Sequence, residues 1–558
     1  MMTGFLRAML AVGCMLAHAS GCAQDQFLEF YGDFLCEEKE VLSAVGLSSP
    51  CTCAGCGSIP YPSNTGYTTP DPIIDSPQVW SFVSEPDLHP MKIHVNVFDT
   101  TKTSPELILL APYGFSADAT YGQAGSLILD NGGTPFWFRP TGSPNLMNTD
   151  FRVQTFNGNP VLTFWQGTLA SPPAYTNAPG GSSEPGSCYY IFDETYALIK
   201  TVQAQMGFTS DIHEFLLTPN NTALLLSTKT IPMDLTPYGG PQNGYIQDFA
   251  IQEIDLLTNE LLFFWDAFHH IPLTESYEPA SSAISSGNIW DVYHLNSIGL
   301  TDSVDDIILS SRSTWTIYRI NKPTGNIVWR LGGKSSDFTI ASGGTFSWQH
   351  DARFLPNNLI SLFDDNSDQS NVPGTPSHGL ILQLDLNTMN ASVYRTYFHN
   401  PNIVVGSQGN VESLPNGNKF VGWGQSQYYS EFLDAGNTEG TPATNLIYDA
   451  EMPSNNYTYR AYRHSWVGTP FYPPSVAVTS SGGQTTVYAS WNGSTKTTQW
   501  QIFAGSKSKK LALVATVPKS GFETSVIISQ TGPYFQVKAL NAAGQVIGKS
   551  KIIKLGDD

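Results

Sequence analysis

Charged residues are scarce in this chain, and basic residues are scarcer than acidic ones. Only 13% of the 558 residues are charged, and 27 lysines and arginines against 47 aspartates and glutamates give a formal net charge of −20. Proteins that bind nucleic acid need a basic face, so this balance argues against a nucleic-acid partner. An anionic small molecule remains compatible, because a local pocket of arginine and histidine can oppose the overall sign.

Long apolar runs and helical periodicity are also missing. No stretch beyond the N-terminus reaches the roughly 18 apolar residues of a membrane-spanning helix, so the mature chain is predicted to have no transmembrane segment. A helical pattern is visible only at 27–46, in FLEFYGDFLCEEKEVLSAVG. What is abundant is aromatic residues (12%), 49 glycines and 37 prolines. This composition is too apolar for a disordered chain and predicts a turn-rich globular protein.

The N-terminus predicts export. Arg7 precedes a short apolar run, and small residues follow at 17–19. This pattern predicts a signal peptide at 1–23, cut near Ser20 or Gln24, and a secreted, extracellular protein. The alternative is a lipoprotein signal at ASGC, which would attach the protein to the cell surface. Four glycosylation triplets agree with a secreted glycoprotein: Asn220, Asn390, Asn456 and Asn492.

Seven cysteines are present, and four of them crowd together between Cys36 and Cys56. Cys14 would leave with the signal peptide. In an exported chain, crowded cysteines favour disulfides, so 24–79 is predicted to be a cysteine-containing N-terminal segment. A metal knuckle at CTCAGC is the alternative, but no further histidine or cysteine follows at zinc spacing.

Short strands and turns fill 80–468. A weak repeat is visible in this region, as when EIDLLTNELLFFW (253–265) is set beside RINKPTGNIVWRL (319–331). Repeats of four strands are typical of propeller blades, and about six blades fit the length. The fold class predicted is therefore all-β, with a six-bladed β-propeller over 80–468.

A second module is predicted after the linker FYPPS. Residues 475–556 contain short alternating strands with Trp491, Trp500 and a late Tyr534. This pattern favours a C-terminal β-sandwich of the fibronectin-III or immunoglobulin type. Such modules usually bind or space other domains, so no chemistry is assigned to it.

Three histidines and one arginine stand at matching points of the repeated units: His213, His294, Arg312 and His350. The first strands of propeller blades line a shared axis, so these residues are predicted to converge. Imidazole can act as a nucleophile or as a general acid or base, and arginine offers a permanent fork of donors to an oxyanion. The set suits transfer of a sulfuryl or phosphoryl group.

Each of these residues also has a structural interpretation. A strand histidine can simply be hydrogen-bonded in a core, and Arg312 could pair with Asp305 or Asp306. Three histidines could also bind a metal, but no acidic or thiolate fourth ligand is evident and an arginine in a metal shell is unfavourable. No metal or cofactor is therefore predicted. His269 and His270 are assigned to a surface loop.

Aromatic residues flank the histidines. Trp290, Tyr293 and Trp348 could form a wall for a flat substrate, or could pack the blades. The sequence leaves both interpretations open.

Several motifs resemble those of one known family. They are WDVYHLNSI, ILSSRSTWTIYRI, GNIVWRLGGKSSDF, FSWQHDARF and GNVESLPNGNKFVGWG. Together they resemble the arylsulfotransferase (ASST) family, most closely its eukaryotic, mainly fungal-type branch. The resemblance covers roughly 80–465 and not the C-terminal module.

This resemblance implies a six-bladed propeller and transfer of sulfate, without PAPS, from a phenolic sulfate ester to an acceptor phenol. By motif, the nucleophile that becomes sulfated is His350, supported by His213 and His294, and the sulfate-binding arginine is Arg312. Small aromatic sulfate esters and phenols are the implied partners. Two other functions stay open: a secreted propeller that binds carbohydrate or protein, and a hydrolase that sends the sulfuryl group to water.

Overall fold

Strands make up nearly all of the regular structure. The computed structural model describes residues 71–114, 120–143, 146–168, 187–367, 374–437, 445–529 and 532–556. Up to residue 464 the strands are, in chain order, β1 His94–Phe98, β2 Leu107–Leu110, β3 Pro112–Tyr113, β4 Gly125–Leu129, β5 Pro135–Pro140, β6 Met147–Phe156, β7 Asn159–Gly167, β8 Cys188–Phe192, β9 Leu198–Val202, β10 Thr209–Leu217, β11 Thr222–Met233, β12 Gly244–Asp255, β13 Leu261–Asp266, β14 Ile289–Trp290, β15 Leu295–Leu300, β16 Asp306–Ser311, β17 Thr316–Asn321, β18 Ile327–Gly332, β19 Thr339–Ile340, β20 His350–Leu355, β21 Leu359–Asp364, β22 His378–Asp385, β23 Asn390–Phe398, β24 Asn410–Ser413, β25 Lys419–Gly422, β26 Tyr428–Phe432, β27 Leu446–Glu451, β28 Tyr457–Thr458 and β29 Tyr462–His464. After it come β30 Ser475–Ser481, β31 Gln484–Ser490, β32 Gln499–Lys507, β33 Lys510–Pro518, β34 Glu523–Ile528, β35 Tyr534–Leu540, β36 Val546–Lys549 and β37 Ile553–Lys554. The helical elements of the described residues are short 3-10 turns at Thr236–Tyr238, Leu273–Glu275 and Ala280–Ser285. The prediction of an all-β protein is confirmed.

Some predictions concern residues that the structure does not describe. The signal peptide at 1–23, the helical pattern at 27–46 and the six cysteines before residue 57 lie outside the described residues. Cys188 is described and lies buried in β8. Within the described ranges, no helix has the length and apolar character needed to cross a membrane.

Most of the strands up to residue 464 form six sheets. We label them A to F in the order in which most of their strands occur along the chain. Sheet A is β29-β2-β4-β5, sheet B is β6-β7-β8-β9, and sheet C is β10-β11-β12-β13 with β14 added to β12. Sheet D is β15-β16-β17-β18, sheet E is β20-β21-β22-β23-β19, and sheet F is β24-β25-β26-β27-β1. Hairpin turns connect most neighbours, as where Asn357 and Asn358 take positive φ between β20 and β21. Asparagine tolerates this left-handed backbone, which is why the LPNN signal ends a strand.

The six sheets contact one another in a closed order. Strand β6 contacts β10, β10 contacts β15, β15 contacts β20 and β20 contacts β24; β25 then contacts β29, and β29 contacts β6. Six separate hydrophobic clusters fill the spaces between consecutive sheets, from A and B round to F and A. The first strand of each sheet therefore faces a common centre, and the apolar core is divided into layers between sheets rather than gathered at that centre.

Both ends of this region close the order of sheets. Strand β29, from the end of the region, pairs with β2 and becomes the first strand of sheet A. Strand β1, from its beginning, pairs with β27 and becomes the outer strand of sheet F. The buried Arg463 of β29 binds Glu431 of β26 through Nε and Oε2 at 2.9 Å, which ties sheet A to sheet F.

The C-terminal strands form two sheets around their own core. One sheet is β30-β31-β34, and the other is β33-β32-β35-β36 with β37 added to β35. Val487, Trp500 and Phe535 belong to one hydrophobic cluster shared by the two sheets. Asn492 joins this region to sheet A, because its side chain donates to the carbonyl of Phe138 at 2.8 Å and accepts from the same residue's N–H at 2.9 Å.

The four glycosylation triplets differ in their surroundings. Asn456 is buried and donates to the carbonyl of Tyr121, and the amide of Asn492 is used as just described. Asn220 and Asn390 are exposed, and each lies at a hairpin turn. Only these two of the four asparagines could carry a glycan on the folded protein.

Candidate active site

The first strands of sheets C, D and E carry the candidate histidines at the same end. His213 is in β10, His294 immediately precedes β15, and His350 opens β20. Pairing with the second strand is irregular between Ser210 and Phe215, and again directly after His350. A bulge of this kind breaks the strict alternation of side chains along a strand. A histidine and the residue that follows it can therefore both point towards the shared centre.

The three histidines meet there. The ring centroids of His213 and His294 are 4.9 Å apart, and each is 6.4 Å from that of His350. One ring nitrogen from each lies within 4.8 Å of the others. We call these three residues the imidazole cluster. Three histidines separated by up to 137 positions in the chain thus share one small volume.

Arg312 lies beside the cluster. It follows β16, and its backbone N–H donates to the carbonyl of His294 at 2.9 Å. Its guanidinium carbon is 4.7 Å from the centroid of the Trp348 ring. The suggested partner Asp306 instead accepts from Arg319 Nε at 2.8 Å, and among the described residues no carboxylate forms an ion pair with Arg312. Its charge is therefore not neutralised by a direct contact.

Each imidazole is held by a carboxylate that sequence reasoning did not assign. Asp211 Oδ1 is 2.5 Å from His213 Nδ1, and Asp365 Oδ2 is 2.7 Å from His350 Nδ1. Asp291 holds His294 Nδ1 in the same way. A neutral imidazole that donates from Nδ1 carries its lone pair on Nε2. The signal for two of these residues was present, because an aspartate stands two positions before His213 and three before His294.

The three pairs differ in their access to solvent. The side chains of His213 and His350 are 5% and 1% exposed, whereas those of His294 and Asp291 are 21% and 36% exposed. His350 also receives the backbone N–H of Gln408, which is 3.3 Å from both of its ring nitrogens. The cluster thus consists of one open pair and two enclosed ones.

Burial and charge set the protonation of the cluster. Burial, reinforced by the positive charge of Arg312, lowers the pKa of His350 well below its usual value. Burial also lowers the pKa of His294, against the opposing effect of Asp291. Burial raises the pKa of Asp365 well above its usual value, and Arg312 opposes that rise. His350 is thus neutral at neutral pH. It shares one titratable proton with Asp365, and its Nε2 lone pair becomes free when the pair loses that proton.

A second polar layer lies directly against the cluster. We call it the ion-pair layer, and it consists of buried or largely buried charged residues: Asp150, Arg152, Glu214, Asp351, Arg353 and Arg460. Glu214 is its hub. The Glu214 carboxylate is 2.5 Å from Arg152 Nη2, 2.7 Å from Arg353 Nη2 and 3.2 Å from Arg460 Nη1.

The charges of the ion-pair layer are matched by one another. Asp150 binds Arg460 at 2.8 Å, and Asp351 binds Arg353 at 2.5 Å. Burial would raise the pKa of Glu214, but the three guanidinium groups outweigh it and lower that pKa to about 2. Three negative and three positive groups balance one another, so this layer stabilises the centre without presenting a free charge.

Of the aromatic residues that flank the histidines, some are buried in the core and others lie beside the candidate site. Trp290 and Tyr293 are buried in the cluster between sheets C and D, so their role as a substrate wall is not supported. Trp348 lies under Arg312 and makes an edge contact with Trp315, whose ring stacks on Tyr277 at 3.6 Å. Both Trp348 and Trp315 have positive φ, at 56° and 52°. A bulky residue in this conformation costs about 1–3 kcal/mol and is found mostly where function requires it.

His269 and His270, which were predicted to lie in a surface loop, do not belong to the imidazole cluster. The side chain of His269 is 69% exposed and pairs with Asp266 at 2.5 Å, and His270 is 33% exposed beside it. They supply a surface example of the same histidine–aspartate pairing.

Comparison with known proteins identifies the family. The family model for arylsulfotransferase (ASST) matches residues 152–439, which is just over half of the chain. The chain belongs to the arylsulfotransferase (ASST) family. The matched segment contains the imidazole cluster, Arg312 and the three orienting aspartates of this ASST-family protein. Membership suggests aryl sulfotransferase activity on aryl substrates. No curated protein matches the chain.

Solved structures give only distant likenesses to the ASST-family protein. A protein of unknown function from Bacteroides caccae is 11% identical over 62% of this chain and 94% of its own, with a TM-score of 0.34. A putative 6-phosphogluconolactonase from Bacteroides fragilis is 12% identical over 82% and 97%, with a TM-score of 0.31. An exo-beta-1,3-galactanase from Phanerochaete chrysosporium is 10% identical over 85% and 97%, with a TM-score of 0.30. At these scores the likenesses lead to no functional conclusion.

Proposed function

We propose that this ASST-family protein moves a sulfuryl group from a phenolic sulfate ester to an acceptor phenol, without PAPS, through a sulfohistidine at His350. The observation that carries the proposal is the meeting of three carboxylate-oriented imidazoles with an arginine that no carboxylate of the described residues neutralises. An imidazole can attack sulfur, and a guanidinium can hold the sulfonate oxygens. The family match alone suggests only the broader activity.

In the first half-reaction, Nε2 of neutral His350 attacks sulfur, and the bond between sulfur and the phenolic oxygen breaks. Asp365 accepts the Nδ1–H of His350 and so stabilises the positive charge that develops on the ring. Arg312 stabilises the charge on the sulfonate oxygens. His294 is open to solvent, so it takes up a proton there when the anionic donor binds, and it passes this proton from Nε2 to the departing phenolate, which leaves as a phenol.

In the second half-reaction, neutral His294 takes the proton of the acceptor phenol. The phenolic oxygen attacks sulfur, the nitrogen–sulfur bond breaks, and His350 is regenerated. His294 suits this part because its pair with Asp291 is the open one, where donor and acceptor oxygens arrive. His213 is enclosed beside both rings and would position them around the bound sulfonate group.

The architecture supports the same proposal. We interpret sheets A to F as the blades of a six-bladed β-propeller, since their first strands contact one another in a closed order. The two C-terminal sheets would form a fibronectin-III-like sandwich. We further propose that the protein is secreted, carries disulfides in its N-terminal segment and belongs to the fungal-type branch of the family. Mass spectrometry of the protein from culture medium would test export, signal cleavage and cysteine pairing together.

The test is the release of nitrophenol from 4-nitrophenyl sulfate by the chelator-treated full chain, with and without added phenol. We expect release that depends on phenol, and a sulfate-labelled His350 when phenol is omitted. His350→Ala should lower transfer at least about 1000-fold, because a nucleophile and its partners act as a unit. The matched control is His269→Ala, which removes an exposed histidine–aspartate pair and should leave transfer unchanged.

Other outcomes would contradict this proposal. Release that does not need phenol, with free sulfate as the product, would indicate a hydrolase. No release from any aryl sulfate, together with binding to an immobilised carbohydrate, would favour a binding module. Undiminished transfer by His350→Ala would move the nucleophile to another residue, and His294 would then be tested first because it is the most exposed of the cluster.

A further inference from the structure

The imidazole cluster offers three lone pairs to one point in space. Each Nδ1 is occupied by a carboxylate, so each Nε2 is the free nitrogen. Among the described residues, no group forms a hydrogen bond to Nε2 of His213 or His294, and that of His350 faces only the N–H of Gln408. Three converging imidazole nitrogens with one open side are the ligand set of many catalytic zinc sites.

The surroundings have the features that such a site needs. Histidines that bind a metal nearly always donate their other N–H to a carboxylate or carbonyl, which fixes the ring and makes it a better ligand. Here all three do so, to Asp211, Asp291 and Asp365. A single histidine–aspartate pair is common, but three pairs aimed at one volume are not expected of a packing arrangement.

The local charge also favours a cation. Three carboxylates stand behind the cluster and one guanidinium beside it, so with neutral imidazoles the formal sum is −2. The sum remains negative if Asp365 keeps a proton. The ion-pair layer adds nothing, because its three acids and three arginines cancel. A dication is therefore stabilised here, whereas an anion must rely on Arg312 or on added protons.

The fourth ligand of a bound metal ion need not come from the protein. Catalytic zinc sites keep one position for water or substrate. Arg312 is not a ligand, but it lies where it could hold an anion bound at that position. This removes the two objections that the sequence raised, namely the missing acidic ligand and the nearby arginine.

We propose that His213, His294 and His350 bind one divalent ion of the Zn²⁺ class through their Nε2 atoms, and that this ion competes with the sulfate ester. Zinc–nitrogen bonds of about 2.0–2.1 Å bring tetrahedral ligand nitrogens to roughly 3.4 Å from one another. The cluster nitrogens lie within 4.8 Å of one another, so the most distant pair must close by up to about 1.4 Å. His294 can make this movement, since it precedes its strand and is partly exposed. Metal binding is independent of the proposed function, and only the competition rests on it.

The experiment is calorimetric titration of the chelator-treated full chain with ZnCl₂. We expect one equivalent bound by the unaltered protein, the same by the control His269→Gln, and none at this site by His294→Gln. Asp291→Asn should weaken binding about 10–100-fold, because it removes the group that orients a ligand. Added Zn²⁺ should also raise the Tm of the unaltered protein but not that of His294→Gln, which separates lost ligation from lost folding.

Three results would overturn the proposal. The first is no binding by the unaltered protein, and the second is equal binding by His294→Gln. The third is an unchanged KM for 4-nitrophenyl sulfate when Zn²⁺ is added. Competition would raise this KM at constant kcat, and EDTA would reverse the increase. If EDTA instead abolished transfer and Zn²⁺ restored it, the ion would be part of the catalyst and not a competitor. A protein without transferase activity would still give a clear calorimetric answer.

Discussion

The imidazole cluster and the ion-pair layer are built from neighbouring residues but obey opposite rules. His213 and Glu214 are consecutive in β10, and His350 and Asp351 are consecutive in β20. The second residue of each pair enters a network in which every charge is matched at 2.5–3.3 Å. The first enters a group of imidazole rings whose Nε2 atoms have few partners among the described residues.

This difference separates structure from chemistry. A network whose charges are matched gains little by binding a further ion, because each charge already has a partner of opposite sign. The imidazole cluster keeps nitrogen lone pairs available, and Arg312, which no described carboxylate neutralises, keeps its positive charge available. The irregular pairing after His350 lets one strand serve both layers, so the ion-pair layer holds the strands while the cluster remains reactive.

Replacing one residue in each layer should reveal the difference between the two layers most clearly. Glu214→Gln removes the hub that three guanidinium groups share, and we expect a loss of about 3–5 kcal/mol in the free energy of unfolding. His213→Gln removes one imidazole ring and should lose only about 1–2 kcal/mol in the free energy of unfolding, while it lowers transfer. Urea unfolding followed by tryptophan fluorescence, together with the nitrophenol assay, measures both quantities.

The control for this pair is Glu214→Asp, which keeps the charge and should recover part of the lost stability. A Glu214→Gln protein as stable as the unaltered chain would show that the layer does not hold the strands together. A His213→Gln protein that is unstable but fully active when folded would reverse the roles of the two layers.

The second prediction concerns Arg312 and tests how its charge affects the imidazole cluster. Its positive charge opposes protonation of both Asp365 and His350, so it favours the state in which the His350 lone pair is free. That state gains as pH rises, so the rate of labelling of His350 should rise with pH through the pKa of the pair. In Arg312→Gln the pKa of the pair rises, and the ascending limb should move to higher pH by about one unit.

Arg312→Lys is the matched variant, since it keeps the charge but loses the planar fork. We expect its pH profile to stay near that of the unaltered protein while its maximum rate falls. An unshifted profile in Arg312→Gln would mean that the charge acts on the substrate alone.

Sequence reasoning named four residues that the structure brings together, but it did not name the carboxylates that orient three of them. His213, His294, His350 and Arg312 stood at matching points of repeated units, and the four-strand period implied a shared centre. Two of the orienting aspartates were visible at short spacing before their histidines. Asp365 was not, because it lies 15 positions after His350 and directly follows the second strand of sheet E, so it reaches His350 only through the hairpin.

The ion-pair layer could not be predicted for a related reason. Arg152 and Glu214 belong to sheets B and C, and Arg460 lies just before β29 of sheet A. The pairing of Arg152 with Glu214 depends on bulges that no local pattern signals. Whether an aromatic residue packs or faces the site was equally hidden. Trp290 and Trp348 have similar sequence surroundings, yet the first lies in the core between two sheets and the second lies under Arg312.

The smallest predicted effect concerns the whole molecule rather than either layer. With a net charge of −20, the protein repels an anionic sulfate donor before that donor reaches Arg312. Salt screens this repulsion, since the Debye length falls from about 30 Å at 0.01 M to about 10 Å at 0.1 M. We expect kcat/KM for 4-nitrophenyl sulfate to rise about two- to threefold over that range, and kcat/KM for the neutral acceptor phenol to stay constant. Repeating the series with a second monovalent salt controls for specific anions. A fall in kcat/KM with added salt would mean that the local charge of Arg312 outweighs the field of the whole chain, and that the salt's own anion competes for the cluster.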